Sequence, residues 1–261
     1  MRVDTDAARD LVTELVGAGS ARWYHSYAAG EAASDITRLL PAEERHLLVA
    51  AAWLHDIGYH HPAPPTGFHP IDGALLLLDR GWPPRIAALV AHHSEARFTA
   101  AARGLLAEIG RFPREEGPVT DGLVYADMSA APHGGRVTLH ERLADVRHRH
   151  ALDPAELQRA RGLREPFLVL AVARCEVRIR RHGGAPARAL PVSPTYLPAE
   201  GDVEVLAAEH PLRPRLDLLA ALHAAASSAF ADKVASSERA LDPARHLLAT
   251  TRPLLADLLH G

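Results

Sequence analysis

The chain has 261 residues, of which 48% are hydrophobic and 23% are charged, so it can bury a core without disulfides and does not resemble a disordered chain. Its net charge of -3 gives no overall basic field, which argues against a nucleic-acid polymer as partner. Cys175 is the only cysteine, so an internal disulfide and the oxidising compartment it would suggest are both disfavoured.

The N-terminal region carries acidic residues where a signal peptide needs basic residues and an apolar stretch. The longest apolar run, residues 47–54, is far shorter than the roughly 18 residues that a membrane helix needs. We therefore expect a cytoplasmic protein without a membrane partner. Lys233 is the only lysine, and this arginine- and alanine-rich usage is typical of a GC-rich bacterial genome.

Helical patterns follow one another along the chain, and few β-branched or aromatic runs compete with them. Pro41 is typical of a helix start, and Glu43 and Glu44 suit the first turn of that helix. The patterns predict helices over residues 6–16, 23–40, 41–58, 70–80, 84–93 and 118–131. The fold class is therefore predicted to be all-α, a helical bundle.

Turn and capping signals separate these helices. Residues 60–67 contain three prolines and a glycine, which exclude regular structure there. Thr138 with Glu141 predicts a capping box, and the Asp153-Pro154 pair predicts the start of a further helix.

A change in composition marks a predicted domain boundary. Residues 183–201 are rich in proline, glycine and alanine and show no periodicity. We therefore expect one helical domain over residues 1–182, a linker over 183–202 and a helical C-terminal extension over 203–261. The extension contains no pattern that indicates chemistry.

Histidines and aspartates near helix ends carry the functional signal. The doublet His55-Asp56 follows an apolar helix, where a polar pair is unusual. Four histidines and two aspartates on five successive helices can project into one interior pocket of a bundle; they are His25, His55, Asp56, His69, His93 and Asp127. His93 is preferred over its neighbour His92 as the inward-facing residue.

These residue types indicate a catalytic metal centre. Imidazole and carboxylate ligands suit Fe, Mn, Co, Zn or Ni, and the absence of thiolates excludes a structural zinc knuckle. Six protein ligands are too many for one catalytic ion that must keep open positions. Two ions bridged by one carboxylate fit better, and such a pair can hold a bridging hydroxide and clamp a phosphoryl group.

The segments around these residues are YHSYAAGEAA, WLHDIGY, FHPIDGA, AHHSEA and VYADM. Together they resemble the HD superfamily of metal-dependent phosphohydrolases, and within it the two-metal bacterial enzymes that split diadenosine tetraphosphate symmetrically. The resemblance covers roughly residues 20–150. It implies an HD-type helical bundle, and hence an HD domain within residues 1–182.

The resemblance also implies roles for individual residues. His25, His55, Asp56 and Asp127 would hold the first metal, and His69 and His93 the second, with Asp56 bridging and His55 and Asp56 catalytic. The implied cofactors are two divalent transition metals, with Fe, Mn, Co or Ni preferred. Tyr59 stands where subfamilies that cleave cyclic dinucleotides carry lysine, which argues against that substrate, and Ser94-Glu95-Ala96 replaces a Thr-Gly-rich turn of the diadenosine branch.

The sequence therefore predicts a phosphohydrolase that acts on a nucleotide or another small phosphate ester. Arg97 and Arg136 are candidate substrate contacts, because guanidinium groups bind phosphate in a bidentate manner. Two alternatives stay open. One is an HD-type di-iron oxygenase, which uses the same ligand types, and the other is a non-catalytic nucleotide sensor that signals through residues 203–261.

Overall fold

A computed structural model describes residues 3–182 of the chain, and the predicted linker and C-terminal extension lie outside the described residues. Within that part the structure is helical without strands, apart from an isolated β-bridge between Ala130 and Arg136, which confirms the all-α class. The helices are α1 (Thr5–Val16), α2 (Ala21–Asp35), α3 (Ala42–Leu54), α4 (His69–Asp79), α5 (Pro84–His92), α6 (Arg97–Ala102), α7 (Leu106–Ile109), α8 (Pro118–Met128), α9 (Leu139–Arg149) and α10 (Ala155–Arg181). Short 3-10 helices cover Thr37–Leu39, Ile57–His60 and His93–Glu95.

Several helices end earlier than the sequence predicts; α8 ends at Met128 and not at residue 131, and the largest differences are at α2 and α3. Helix α2 ends at Asp35 and gives way to a 3-10 turn, and Leu40 is then extended, with φ -114° and ψ 151°. A residue that precedes proline disfavours the helical region, so Pro41 ends this segment before the next helix can begin. Helix α3 ends at Leu54, and the predicted remainder up to Gly58 forms a turn and a 3-10 helix. The short helices α6 and α7 have no counterpart among the predicted elements.

The predicted capping box at α9 is present. The Thr138 hydroxyl accepts a hydrogen bond from the backbone N–H of Glu141, and the Glu141 carboxylate accepts one from the backbone N–H of Thr138. The two side chains satisfy N–H groups that the first turn of a helix leaves without partners. The start of α9 is thus determined locally.

Helices α2, α3 and α8 pack against one another, and α4 packs against α5. Leu48 and Leu54 of α3 and Leu123 of α8 are buried in this core. Helix α10 packs against α6 and α8, and the buried Asp121 of α8 binds Arg174 and Arg178 of α10, each at 2.6 Å. Among residues 3–182, no helix has the length and apolar character needed to cross a membrane.

The turn after α3 lies directly against the start of α4. A Cβ atom added to Gly58 would lie 1.9 Å from the backbone oxygen of His69 and 2.5 Å from the backbone nitrogen of Gly73. Only glycine permits backbones to approach this closely. This contact brings the His55-Asp56 doublet next to His69.

Candidate metal centre

The fold brings all six predicted donor residues together. His25 lies on α2, His55 and Asp56 directly follow α3, and His69 begins α4. His93 follows α5, and Asp127 lies near the end of α8. All are buried except His69, whose side chain keeps 19% of its surface exposed.

One group of donors that could hold a metal ion consists of His25, His55 and Asp56, whose ligating atoms lie within 4.8 Å of one another. The Nε2 atoms of His25 and His55 are 3.2 Å apart. Asp127 lies beside this group, because its Oδ1 is 3.3 Å from His25 Nε2 and 3.7 Å from His55 Nε2.

A second group that could hold a metal ion consists of Asp56, His69 and His93. The Nε2 atoms of its two histidines are 3.3 Å apart. Asp56 Oδ1 lies 3.3 Å from His69 Nε2 and 3.7 Å from His93 Nε2. Asp56 Oδ2 instead lies 3.6 Å from His55 Nε2 and 3.8 Å from His25 Nε2, so the two oxygens of one carboxylate face different groups.

Backbone carbonyls orient three of the imidazole rings. The Nδ1 atoms of His25, His55 and His93 lie 3.1, 2.8 and 2.6 Å from the carbonyl oxygens of Ala131, Ala52 and Val90. A carbonyl oxygen only accepts hydrogen bonds, so in the neutral ring the proton is on Nδ1 and the Nε2 lone pair is free. Each Nε2 points at the other donors, and this is the arrangement that histidine metal ligands adopt.

The protonation states also suit metal binding. Burial lowers the pKa of His55 and of His69 to about 4, so both rings are neutral at pH 7 and can act as ligands. Burial alone would raise the pKa of Asp56, but the neighbouring histidines outweigh it and hold that pKa well below its usual range. The pKa of Asp127 is lowered in the same way, chiefly by His55 and His25. The pKa of His93 is instead raised, because burial is outweighed by its contact with Asp56. Imidazoles and ionised carboxylates therefore meet here, with His55 and His69 neutral, and this donor set fits divalent transition metals.

A cavity of about 460 Å³ borders both donor groups. Asp56, His69, His93 and Asp127 line it. Its volume is in the range of pockets that bind small molecules.

Arg22 and Tyr59, which were not predicted as donors, lie against Asp56 and His69. Arg22 Nη1 lies 2.5 Å from Asp56 Oδ2, and its guanidinium covers the Tyr59 ring at 3.9 Å. The Tyr59 ring stacks on His69 with the ring centroids 3.8 Å apart. Arg22 precedes His25 by one helical turn on α2, and this spacing was a usable sequence signal because such residues share a helix face.

Two further residues hold Asp127. The Ser94 hydroxyl donates a hydrogen bond to Asp127 Oδ2, and Arg142 Nη2 lies 3.2 Å from Asp127 Oδ1. Ser94 and Glu95 both adopt left-handed backbone conformations, with φ of 49° and 54°, which non-glycine residues seldom do. Local sequence carries no signal for Arg142, which reaches the site from α9.

The structure does not bring Arg97 and Arg136 to the cavity. Arg97 donates to Glu95 Oε2 at 2.9 Å, and Arg136 donates to Asp35 Oδ2 at 2.8 Å. Neither residue lines the cavity. Their predicted contact with a substrate phosphate therefore receives no support, since neither guanidinium group faces the cavity that borders the donors.

The six donor residues lie in one contiguous stretch of the chain, and that stretch has a recognisable family pattern. Residues 22–131 match the family model of the HD domain. This segment is therefore similar to the HD domain, whose family consists generally of metal-dependent hydrolases. Searches of curated proteins and of solved structures found no significant match. The HD-domain match ends before α9 and α10, so Arg142 lies beyond it.

Proposed function

We propose that this protein is a phosphohydrolase that uses two divalent transition metals to cleave a nucleotide or another small phosphate ester. The observation that carries the proposal is Asp56, whose Oδ1 and Oδ2 face two separate groups of buried donors. The resemblance of the same residues to the two-metal phosphohydrolases supports it.

In this proposal His25, His55, Asp56 and Asp127 would hold one ion, and His69 and His93 would hold the other together with Asp56. Such ions would supply Lewis acidity and a nucleophilic hydroxide at neutral pH. The choice of metal is restricted to ions that accept imidazole and carboxylate together, with Fe, Mn, Co or Ni preferred.

The protein's own residues provide orientation and charge. Carbonyl oxygens hold the rings of His25, His55 and His93, and the Ser94 hydroxyl holds Asp127. Arg22 lines the cavity next to Asp56 and presents a guanidinium group, which suits bidentate contact with a phosphate ester. Burial of the donors excludes bulk water and strengthens electrostatic interactions at the reacting centre.

The decisive experiment separates hydrolysis from oxygen activation. Anaerobically purified protein is analysed for metal and then screened, with Mn²⁺, for phosphate release from nucleotides and p-nitrophenyl phosphate in air and under argon. Equal release under both gases is expected, because hydrolysis needs no electron from the metal. His55→Ala should abolish release, whereas the exposed α9 residue His140, which does not line the cavity, serves as the matched His140→Ala control.

Two other results would replace the proposal. Oxygen consumption with substrate loss, and no ester cleaved under argon with any metal, would establish the di-iron oxygenase alternative. Nucleotide binding without turnover under either gas would establish the non-catalytic sensor.

A further inference from the structure

Six arginines line the cavity beside the donor groups: Arg22, Arg103, Arg142, Arg149, Arg161 and Arg164. Four of them lie within 3.2 Å of a carboxylate oxygen: Arg22 pairs with Asp56, Arg142 with Asp127 and Asp145, Arg149 with Asp145, and Arg161 with Asp153. Among residues 3–182, neither Arg103 nor Arg164 makes an ion pair. Arg103 is exposed to solvent, whereas Arg164 is half-buried.

Arg164 has a partly desolvated guanidinium group, and among residues 3–182 no carboxylate forms a direct ion pair with it, although Asp127 and Glu165 attract its charge from a greater distance. Its Nε is buried and has no hydrogen-bond partner, and its Nη1 has only a long contact of 3.3 Å to the carbonyl oxygen of Ser94. Burial lowers the pKa of this guanidinium. Desolvation of a cation is costly unless an opposite charge is bound to it, so a guanidinium with an unpartnered Nε at a cavity wall is a favourable place for an anion.

The position of Arg164 relates it to the donor groups. Ser94 accepts from Arg164 through its carbonyl oxygen and donates to Asp127 through its hydroxyl. An anion bound at Arg164 therefore lies next to the centre that Asp127 belongs to.

Arg161 adds a second guanidinium to the same helix face, because it precedes Arg164 by three residues on α10. It binds Asp153 at 2.5 Å, yet its Nη1 is buried without a hydrogen-bond partner. The ion pairs of Asp121 with Arg174 and Arg178 anchor α10 to α8, so this face is held in place.

We propose that Arg164, assisted by Arg161, forms an anion subsite that binds a second phosphoryl group of the substrate, adjacent to the one at the metal centre. This inference rests on the proposed function for the identity of its ligand and narrows the substrate class to compounds with two or more linked phosphates. The subsite lies on α10, beyond the residues that match the HD domain. Guanidinium groups are suited to it because they bind phosphate oxygens through two parallel hydrogen bonds.

The test measures binding of inorganic pyrophosphate and of orthophosphate to the full-length protein, as purified with its metal, by titration calorimetry. Arg164→Gln should raise the dissociation constant of pyrophosphate at least tenfold, because it loses charge-assisted hydrogen bonds, and should leave that of orthophosphate within about twofold. The matched control is Arg159→Gln, which alters an exposed arginine of α10 that does not line the cavity. It should leave both constants unchanged.

Two additional measurements separate this subsite from a structural role. Arg164→Gln should raise the Tm, because it removes a desolvated charge, although the same change weakens the binding of pyrophosphate. Arg164→Lys keeps the charge but loses the bidentate geometry, so it should bind pyrophosphate with an intermediate constant. If Arg164→Gln does not fold, Arg164→Lys decides the matter alone, and wild-type affinity in it would overturn the proposal.

The outcome is independent of turnover. If the wild-type protein cleaves no phosphate ester, the proposed function fails, yet selective loss of pyrophosphate binding in Arg164→Gln still establishes the subsite. If the wild-type protein cleaves esters but Arg164→Gln binds pyrophosphate as tightly as wild type, the subsite is refuted and the function stands. Equal weakening of orthophosphate and pyrophosphate would also refute it, since Arg164 would then act at the metal centre itself.

Discussion

Asp56 is the residue on which both donor groups depend, because its two carboxylate oxygens face different histidine pairs. His69 and His93 contribute to one group only. Removal of the Asp56 side chain should therefore affect both donor groups, whereas removal of the His69 or His93 side chain should affect one.

Asp56→Ala should lose both metal ions, whereas His69→Ala should lose mainly the ion of the second group. The reason is that Asp56 supplies a ligand to each group, while His69 supplies one to a single group. Elemental analysis of protein purified under identical conditions measures the occupancy, with His140→Ala as the control. Full metal occupancy in Asp56→Ala would rule out the two-metal assignment.

Ser94 offers a second test at this scale, because it combines a hydrogen bond to Asp127 with a left-handed backbone. Ser94→Gly and Ser94→Ala both remove the hydroxyl, and loss of a residue that orients a metal ligand typically costs 10–100-fold in activity or metal affinity. Glycine accepts this conformation without the cost of about 1 kcal/mol that alanine incurs. Ser94→Gly should therefore unfold at a higher denaturant concentration than Ser94→Ala, while both show the same loss of turnover.

Denaturant titration gives the stability and initial rates give the turnover. If activity followed stability, so that Ser94→Gly were as active as wild type, the hydroxyl would have no role in positioning Asp127.

At the scale of elements, the contact between the turn after α3 and the first turn of α4 determines how the two donor groups meet. Gly58 and Gly73 permit this contact, and His69 is the residue whose backbone oxygen would collide with any side chain at position 58. The turn that replaces the predicted end of α3 thus has a function in the site, because it places Asp56 beside His69.

Gly58→Ala should destabilise the protein by about 3 kcal/mol, since the added methyl group has no space and either backbone must shift. The shift should also reduce occupancy of the metal that His69 helps to hold. Gly162→Ala is the control, because an added Cβ there meets nothing within 4 Å. Because Gly162 lies inside a helix, its replacement by alanine should stabilise the protein by about 0.5–1 kcal/mol.

Thermal or chemical unfolding, with metal analysis of each variant, checks both effects. A Gly58→Ala protein with wild-type stability and full metal content would show that the close approach of the two backbones is not required.

At the scale of the whole molecule, the donors and the proposed anion subsite all lie within residues 22–181. Helix α10 closes this part by packing against α6 and α8. We expect a chain that ends at Arg181 to fold and to bind metal, because the buried donors and the helices that carry them are all retained.

Circular dichroism and elemental analysis of the shortened chain test this prediction against the full-length protein. An insoluble or metal-free product would mean that residues 203–261 complete the core and are not a separate extension.

The sequence by itself determined the helical class and the capping box at Thr138, and it singled out six candidate donor residues that the fold brings together. These features are local or compositional: helical periodicity, a cap of four residues and side-chain types that suit a metal centre. The sequence did not determine where α2 and α3 end. Helix α2 ends at Asp35, before the proline that the sequence offered as a boundary, and the turn after α3 packs Gly58 against the backbone of α4, a contact between two elements that helical periodicity does not record.

Only the tertiary structure decided which oxygen of Asp56 faces which histidines, and which arginines line the cavity. Arg97 and Arg136 suited a phosphate by residue type, but carboxylates bind them away from the cavity. Arg142 and Arg164 reach it from α9 and α10, far along the chain from the donors. The physical reason is that helix packing sets the direction of a side chain relative to distant residues, and no local pattern records that direction.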